Sequence, residues 1–471
     1  MFFRSFFDES LAQMSYLVGC QQTGEAIVID PARSIEPYLG MARKKGLKII
    51  AAAETHIHAD FVSGSREIAQ HCDATLYVSD EGDEQWKYNQ LEDIDYVLLK
   101  DGSTFMIGQI EFTVMHTAGH TPESISFVLT DKGGGSSQPM GIFTGDFVFV
   151  GDIGRPDLLE KAVGVIGSAE LGASQMFQSL QKFKQLPDYL QVWPGHGAGS
   201  ACGKALGAVP MSTIGYEKLN NWALREEDQE NFIKTLLTGQ STPPNYFAMM
   251  KKLNKMGPPL VSEGKTNRIR TVKELEGHDA NAVLVDTRRA AEFAKGHLEG
   301  TINIPFNQSF TNWAGELIDY DSEIILIAEE SKLNAIKESL SSIGLDGIVG
   351  FIEPFDVLAD DKQLESYGEV DVKQVQEYLL DDQYHLVDVR NESEWTEGRI
   401  EGAEHMPLNL LTKQLDDLPK GKTYLVHCKS GARSAIASSL LQAHGYKDVM
   451  NVKGGYLAWL KETNKQAPVI K

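Results

Sequence analysis

The stretch Glu54–Gly64, ETHIHADFVSG, sets His56, His58 and Asp60 close together along the chain. Imidazole and carboxylate are borderline ligands for a transition metal. HxHxD alone also describes a polar loop whose histidines are satisfied by hydrogen bonds. Three later stretches weigh against that alternative. Met115–Pro122 reads MHTAGHTP, with Gly119-His120 at a tight turn; Gly141–Gly145 reads GIFTG and runs into Asp146; Trp193–Gly197 reads WPGHG and supplies His196. Each is a strand end followed by glycine and a ligand-type side chain, and strand ends that converge on one point are how α/β sheets build sites. A second chemistry stands near the C-terminus, where Tyr424–Ser434 reads YLVHCKSGARS: a strand, a loop, then a helix starting near Arg433. Cys428 opens the loop. Its backbone N–H groups are expected to point inward at a helix N-terminus, which favours a thiolate. Arg433 adds to that field, and Lys429 and Arg433 are placed to orient an anionic acceptor. An inert buried cysteine is the alternative.

The elements that must position these groups alternate between strands and helices. Met1–Ser10 reads as an edge strand; SYLVG and EAIVID form a hairpin about Gly24 that leads to the Asp30-Pro31 loop. Ile35–Lys45 is a helix. The apolar run Leu47–Ala53 is a buried strand that delivers His56 and His58 to its carboxyl end. Gly64–His71 is a helix and ATLYVS a strand. FMIG and IEFTVMHT pair as a hairpin, SISFVLT and GIFTGDFVF are strands, and Lys132–Pro139 (KGGGSSQP) is a hairpin tip without ligand types. Residues 216 to about 256 are helical, with Trp222, Phe232, Phe247 and Met249-Met250 in amphipathic spacing, a stripe that belongs to a core. Gly257-Pro258-Pro259 marks a domain boundary.

At 471 residues, the chain needs more than one core. Acidic residues outnumber basic ones 66 to 44, for a net charge of -22, which argues against nucleic acid or an anionic membrane as partner. No apolar run reaches roughly 18 residues, the length of a membrane-spanning helix. Cys20, Cys72, Cys202 and Cys428 sit in no CxxC or disulfide-like framework, so a reducing cytoplasm is expected.

THxHxD, GHTP, TGD and PGHG in this order resemble the metallo-β-lactamase fold over roughly the first 260 residues. The hydrolases of that fold continue as THxHxDH and bind two metals, whereas this chain has Phe61 at the last position, and an apolar ring cannot ligate. The departure resembles the persulfide dioxygenase (sulfur dioxygenase) branch, which implies one Fe(II) per chain held by His56, His120 and Asp146, with O2 as co-substrate. It places His58, Asp60 and His196 behind those ligands or near the substrate. Two histidines and one carboxylate leave open positions for substrate and O2, and Zn(II) supplies no redox chemistry. In GDIGRPDLL, Gly151–Leu159, the resemblance puts Arg155 at the site mouth against the carboxylate or phosphate of a thiol carrier. A structural Arg155–Asp157 contact is the alternative. Thr121 is a further candidate contact. The stretch GSACG, Gly199–Gly203, makes Cys202 either a reactive thiol near the metal or a small buried cysteine that packs.

The second half holds an internal repeat. Residues 285–305 read VDTRRAAEFAKGHLEGTINIP and residues 387–407 read VDVRNESEWTEGRIEGAEHMP, pairing Asp286 with Asp388, Arg288 with Arg390, Glu292 with Glu394 and Gly296 with Gly398. The pattern looks like a rhodanese domain present twice. The first copy has Ala328, then Glu329 and Glu330, where the second has Cys428, so it is expected to be inactive and structural or bridging. The expected class is therefore α/β: an αββα metallo-β-lactamase sandwich with a helical extension over 1–259, an inactive rhodanese-like domain over 260–362 and an active one over 363–471. The resemblance implies sulfide detoxification: oxidation of a low-molecular-weight thiol persulfide (glutathione, coenzyme A, bacillithiol or cysteine type) to sulfite, then thiosulfate formation at Cys428. It also implies a homo-oligomer. Three rivals stand beside it: a dinuclear zinc thioester hydrolase of the glyoxalase II type, a rhodanese-centred sulfur relay, and a sulfide-responsive scaffold without turnover.

Overall fold

A computed structural model describes residues 1–158, 160, 167–261, 266–275, 282–359 and 364–463. The chain divides into two compact units, Met1–Ser262 with Glu338–Gly344, and Glu263–Lys337 with Leu345–Lys471. The boundary expected at 362–363 lies outside the described residues.

The first unit holds two six-stranded sheets. One runs β1 (Phe2–Asp8), β2 (Gln13–Cys20), β3 (Glu25–Ile29), β4 (Lys48–Ala53), β5 (Thr75–Ser79), β6 (Tyr96–Leu99) in spatial order. β1 is the edge strand, and β2 and β3 are the expected antiparallel hairpin. The other comprises β7 (Thr104–Ile107), β8 (Ile110–His116), β9 (Ile125–Asp131), β10 (Gly141–Gly145), β11 (Gln191–Pro194) and β12 (Ser212–Thr213), in the order β12-β11-β10-β9-β8-β7. Their inner faces share one core: Val18, Ile27 and Ile29 meet Phe112, Phe127, Phe143 and Trp193. The outer face of the first sheet packs Val28, Ala52 and Leu76 against Tyr38, Ala42, Ile68 and Ala69 of the helices Glu36–Lys45 and Ser65–Cys72. The outer face of the second packs Ile142 and Val192 against Ala173, Met176, Leu180 and Phe232 of the helices Ser168–Phe183 and Gln229–Leu237. Apolar alternation on each strand thus produces an αββα sandwich.

β10 is shorter than the expected GIFTGDFVF strand. It stops at Gly145, whose φ of 50° turns the chain so that Asp146 leaves the sheet. The helix Ser168–Phe183 carries no ligand motif and was not read from the sequence; it packs its backbone against the GHTP turn, where a β-carbon at Gly172 would lie 2.8 Å from the Gly119 carbonyl oxygen.

The second unit holds two five-stranded parallel sheets of identical topology. The first is β13 (Asn267–Ile269), β14 (Val283–Asp286), β15 (Ile302–Asn303), β16 (Ile324–Ile327) and β17 (Ile348–Ile352). The second is β18 (Gly368–Val370), β19 (Tyr384–Asp388), β20 (Glu404–His405), β21 (Thr423–His427) and β22 (Val449–Val452). The repeat has a physical basis. Asp286 pairs with Arg288 through Arg288 Nε at 2.9 Å and Nη2 at 2.5 Å, and Arg288 also donates to the Gly296 carbonyl at 3.0 Å. Asp388, Arg390 and Gly398 repeat that brace at 2.9, 2.6 and 2.8 Å. DxR…G therefore ties the end of a buried strand to the turn that follows it in both copies.

Candidate metal and thiol sites

β4 ends at Ala53, and the next residues carry the loop that holds His56 and His58. His56, His120 and Asp146 are buried, and their donor atoms lie within 4.8 Å of one another. His56 Nε2 is 4.0 Å and His120 Nε2 3.6 Å from Asp146 Oδ2. The other ring nitrogens are held: His120 Nδ1 donates to the Arg155 carbonyl at 2.9 Å, and His56 Nδ1 is 3.0 Å from Thr55 Oγ1. Thr55 Oγ1 itself donates to Asp30 Oδ2 at 2.8 Å, so it accepts from His56. Both Nε2 atoms therefore point lone pairs into the cluster. Burial pushes both imidazoles down, so they are neutral ligands. Asp146 Oδ1 accepts from His196 Nδ1 at 2.7 Å, which leaves Oδ2 for the cluster. His56 Nε2 and Asp146 Oδ2 are buried without a hydrogen-bond partner among the described residues. Such orphaned atoms are costly unless a cation satisfies them, so these three side chains fit a metal ion.

Close approach sets the loops around this cluster. A β-carbon at Gly154 would lie 1.8 Å from the Asp146 carbonyl oxygen, and one at Gly195 would lie 2.6 Å from Asp146 Oδ1. Neither position has room for a side chain.

His58 is not in the cluster. Its Nε2 lies 3.1 Å from Asp30 Oδ1 and 3.0 Å from Glu54 Oε2. Burial opposes its charge, but the two carboxylates override it and raise its pKa well above the ordinary range. It is a buried cation that fixes the loop. Phe61 is buried and packs tilted against the His58 ring, 4.4 Å between centroids at an interplanar angle of 37°. His196 joins Asp146 to Asp60, with Nε2 2.6 Å from Asp60 Oδ2. Burial would lower its pKa, but Asp146 and Asp60 push it up to about 10.

Arg155 is fully buried, and its guanidinium donates to both Asp157 oxygens at 2.7 Å and to the Ser241 carbonyl at 2.7 Å. Its carbonyl holds His120 and its N–H bonds the Cys202 carbonyl at 3.1 Å. The geometry therefore matches the structural Arg155–Asp157 contact and makes Arg155 the tie between a ligand loop and the Cys202 loop. Thr121 is buried with its hydroxyl 2.6 Å from Ser124 Oγ. Cys202 is buried; burial, then Asp146 and Asp60, push its thiol well above the ordinary range. Those surroundings favour the packed thiol over a free nucleophile.

Four groups that hold the site were not singled out in the sequence. Asp30 and Glu54 stand at the ends of β3 and β4, where a carboxylate beside a histidine motif was the available signal. Glu123 accepts from the Ile57 N–H at 2.9 Å. Asn254, on the helix Phe247–Met256, donates to the carbonyls of His58 and Phe61 at 2.8 and 2.6 Å and accepts from the Ser63 N–H at 2.9 Å. No pattern distinguishes Asn254 from a surface amide.

In the second unit, β21 ends at His427 and the helix Ala432–Ala443 begins after Gly431, whose φ is 108°. Cys428 is buried at the turn. Its Sγ accepts from the Gly431 N–H at 3.1 Å and lies 3.5 Å from Ser434 Oγ. Lys429 is exposed. Arg433 spends its fork on Glu394, at 2.5 and 2.8 Å; it anchors the helix start to the Asn391–Glu397 turn. In the first copy, the residue at the end of β16 is Ala328, buried, followed by exposed Glu329 and Glu330.

The comparisons agree with both halves. The family profile "Metallo-beta-lactamase superfamily" matches residues 10–196, and "Rhodanese-like domain" matches residues 270–353 and 371–462. A metallo-β-lactamase structure from Staphylococcus aureus subsp. aureus COL is 46% identical, with a TM-score of 0.68 over 75% of this chain and 99% of that one. The chain is a member of the metallo-β-lactamase superfamily with two rhodanese-like domains. A hydroxyacylglutathione hydrolase from Synechocystis sp. is 30% identical to this superfamily member over 51% of its chain and 82% of the relative. The mitochondrial persulfide dioxygenase of Bos taurus is 25% identical over 41% and 67%. A sulfurtransferase from Allochromatium vinosum is 34% identical over 20% and 89%. The relatives bear the names of enzymes, and their likeness to this chain supports an enzyme. Among the described residues no helix is long and apolar enough to cross a membrane, and all four cysteines are free.

Proposed function

We propose that the chain is an Fe(II)-dependent persulfide dioxygenase joined to a sulfurtransferase, acting on a low-molecular-weight thiol persulfide in a reducing cytoplasm. The observation that carries this reading is the pairing on one chain of a donor cluster of two histidines and one carboxylate with Cys428 in a rhodanese loop. Iron held by His56, His120 and Asp146 would supply the one-electron chemistry that O2 requires. The chain's own groups prepare that site. Thr55 and the Arg155 carbonyl fix the histidine tautomers, and His196 turns Asp146 Oδ2 inward.

At the second site, the Cys428 thiolate attacks the outer sulfur of a persulfide. The S–S bond breaks, the carrier leaves as its thiol, and Cys428 becomes a persulfide. The Gly431 N–H stabilises the sulfur charge. Sulfite then attacks the terminal sulfur, forms thiosulfate and returns the Cys428 thiolate. No external oxidant enters this half. Carriage on one chain raises the concentration of sulfite near Cys428.

The test is oxygen uptake by Fe(II)-reconstituted protein on addition of a thiol persulfide, with sulfur products quantified. Rapid uptake with thiosulfate as product is expected. No uptake with iron verified at the site would overturn the reading. A dinuclear thioester hydrolase is the second reading, favoured by the 30% identity to a hydroxyacylglutathione hydrolase; thioester turnover by the zinc form would support it.

A further inference from the structure

The loop that carries His56 and His58 runs on to Val62 and Ser63, and its backbone is held from outside the sandwich. Asn254 bonds the His58 and Phe61 carbonyls and the Ser63 N–H. Val62 is fully buried, and its N–H donates to the Ser342 carbonyl at 2.8 Å. A buried backbone N–H needs such a partner, and this one comes from far along the sequence. Ser342 lies in Glu338–Gly344, a stretch of the first rhodanese-like repeat that belongs to the same compact unit as Met1–Ser262. Gly344 follows the helix Leu333–Ser341 with a φ of 76°. A β-carbon there would lie 2.6 Å from Leu253 Cδ1, 3.3 Å from Val62 Cγ2 and 3.5 Å from Met250 Cε. Met250 and Leu253 stand on the helix that carries Asn254. The Ser342–Gly344 turn thus touches both the ligand loop and the helix that braces it.

The matching turn of the second repeat has different surroundings. After the helix Ala432–Ala443, Gly445 is exposed with a φ of 86°, and a β-carbon there would meet no atom within 4 Å among the described residues. The turn belongs to the repeat; its packing against the ligand loop belongs to the copy without the cysteine. We infer that the Ser342–Gly344 turn is a positioning element for the metal ligands, and that this is the task of a copy with no nucleophile. The inference uses the donor cluster alone and holds for iron and zinc alike. The route from turn to ligand is short. Ser63 Oγ donates to Glu54, and Glu54 Oε2 lies 3.0 Å from His58 Nε2. The His58 ring packs tilted against that of His56, 4.3 Å between centroids. A shift at Val62 and Ser63 therefore reaches the His56 ring through Glu54 and His58. Ligands displaced by a fraction of an ångström lose metal affinity without unfolding.

Two measurements on the full-length chain test this, with Co(II) as the probe. In the unaltered protein, stripped of metal and then titrated, Co(II) should slow amide exchange in 338–344 as well as in 58–64, because coupling between two sites is reciprocal. Exchange in 440–446 should not respond. The second measurement uses variants. Gly344→Ala and Gly344→Val force a side chain toward Leu253 and Val62 from a left-handed backbone. Each should weaken Co(II) binding by about tenfold or more in chelator competition, change the visible ligand-field spectrum and speed exchange at Val62. Gly445→Val sets the same backbone strain where there is room, and should leave affinity, spectrum and Val62 exchange as they were. Thiocyanate formation at Cys428 reports that the second unit of the Gly344 variants is folded. Exchange in 338–344 that ignores Co(II), full Co(II) affinity in the Gly344 variants, or equal losses from Gly344→Val and Gly445→Val would overturn the inference.

Discussion

His427 shows how much a single buried side chain contributes beside the reactive one. Burial pushes its pKa to about 4, against an ordinary 6.5. The folded chain therefore holds it neutral, while the unfolded chain binds a proton near pH 6.5. Its stabilisation is complete above that pH and drains away as the pH falls toward 4, in all on the order of 3 kcal/mol. Pulse proteolysis in urea, scoring the fragment that carries Cys428, should show the midpoint falling between pH 7 and pH 4.5. His427→Phe should flatten that slope; equal slopes would assign the acid loss elsewhere. Arg155 makes a different point. Its spacing from Asp157 supports either a substrate contact or an internal brace, and only the buried fork separates them. Arg155→Ala should cost about tenfold in metal affinity by chelator competition, because the His120 carbonyl partner and the Cys202 loop loosen together. A raised KM with unchanged metal affinity would restore the substrate role. The metal-ligand candidates and Cys428 were legible because each sits in a motif at a strand end. Asn254 and Glu123 were not, because an amide or carboxylate that holds a loop has no spacing signature.

Among the elements, those with strict apolar alternation or clear turn residues were read at nearly their true bounds: β2, β3, β5, β8 and the helix Glu36–Lys45. β6 was missed: Tyr96, Val97 and Leu98 are all exposed, so no alternation marks it. The helix Ser168–Phe183 carries no ligand motif and was not read from the sequence, yet its backbone packs against the GHTP turn. The loops are as tightly specified as the strands. Gly154→Ala would drive a methyl group into the Asp146 carbonyl, and the loop would have to move. Metal content measured on the purified variant should drop at least about tenfold, with sulfurtransfer at Cys428 unchanged. Full metal content would show that the loop yields without disturbing Asp146.

For the whole chain, two separable centres make a simple demand. Cys428→Ser should leave the rate of oxygen uptake unchanged while the product shifts from thiosulfate to sulfite, and it should abolish thiocyanate formation from thiosulfate and cyanide. Residual thiocyanate would mean that the first rhodanese-like copy transfers sulfur despite Ala328. That copy keeps the Asp286–Arg288–Gly296 brace at 2.9, 2.5 and 3.0 Å, close to the 2.9, 2.6 and 2.8 Å of the second copy. The brace and the loop at 328–332 belong to different connections, so the brace makes no demand on that loop, where Ala328 is buried and Glu330 pairs with Arg268 at 2.8 Å. Substitutions there are free of the constraint that binds Cys428 and its neighbours. The chain thus carries an unwritten page inside a finished binding: a place where a docking epitope, a modification signal or a new specificity can arise without disturbing the chemistry already in use.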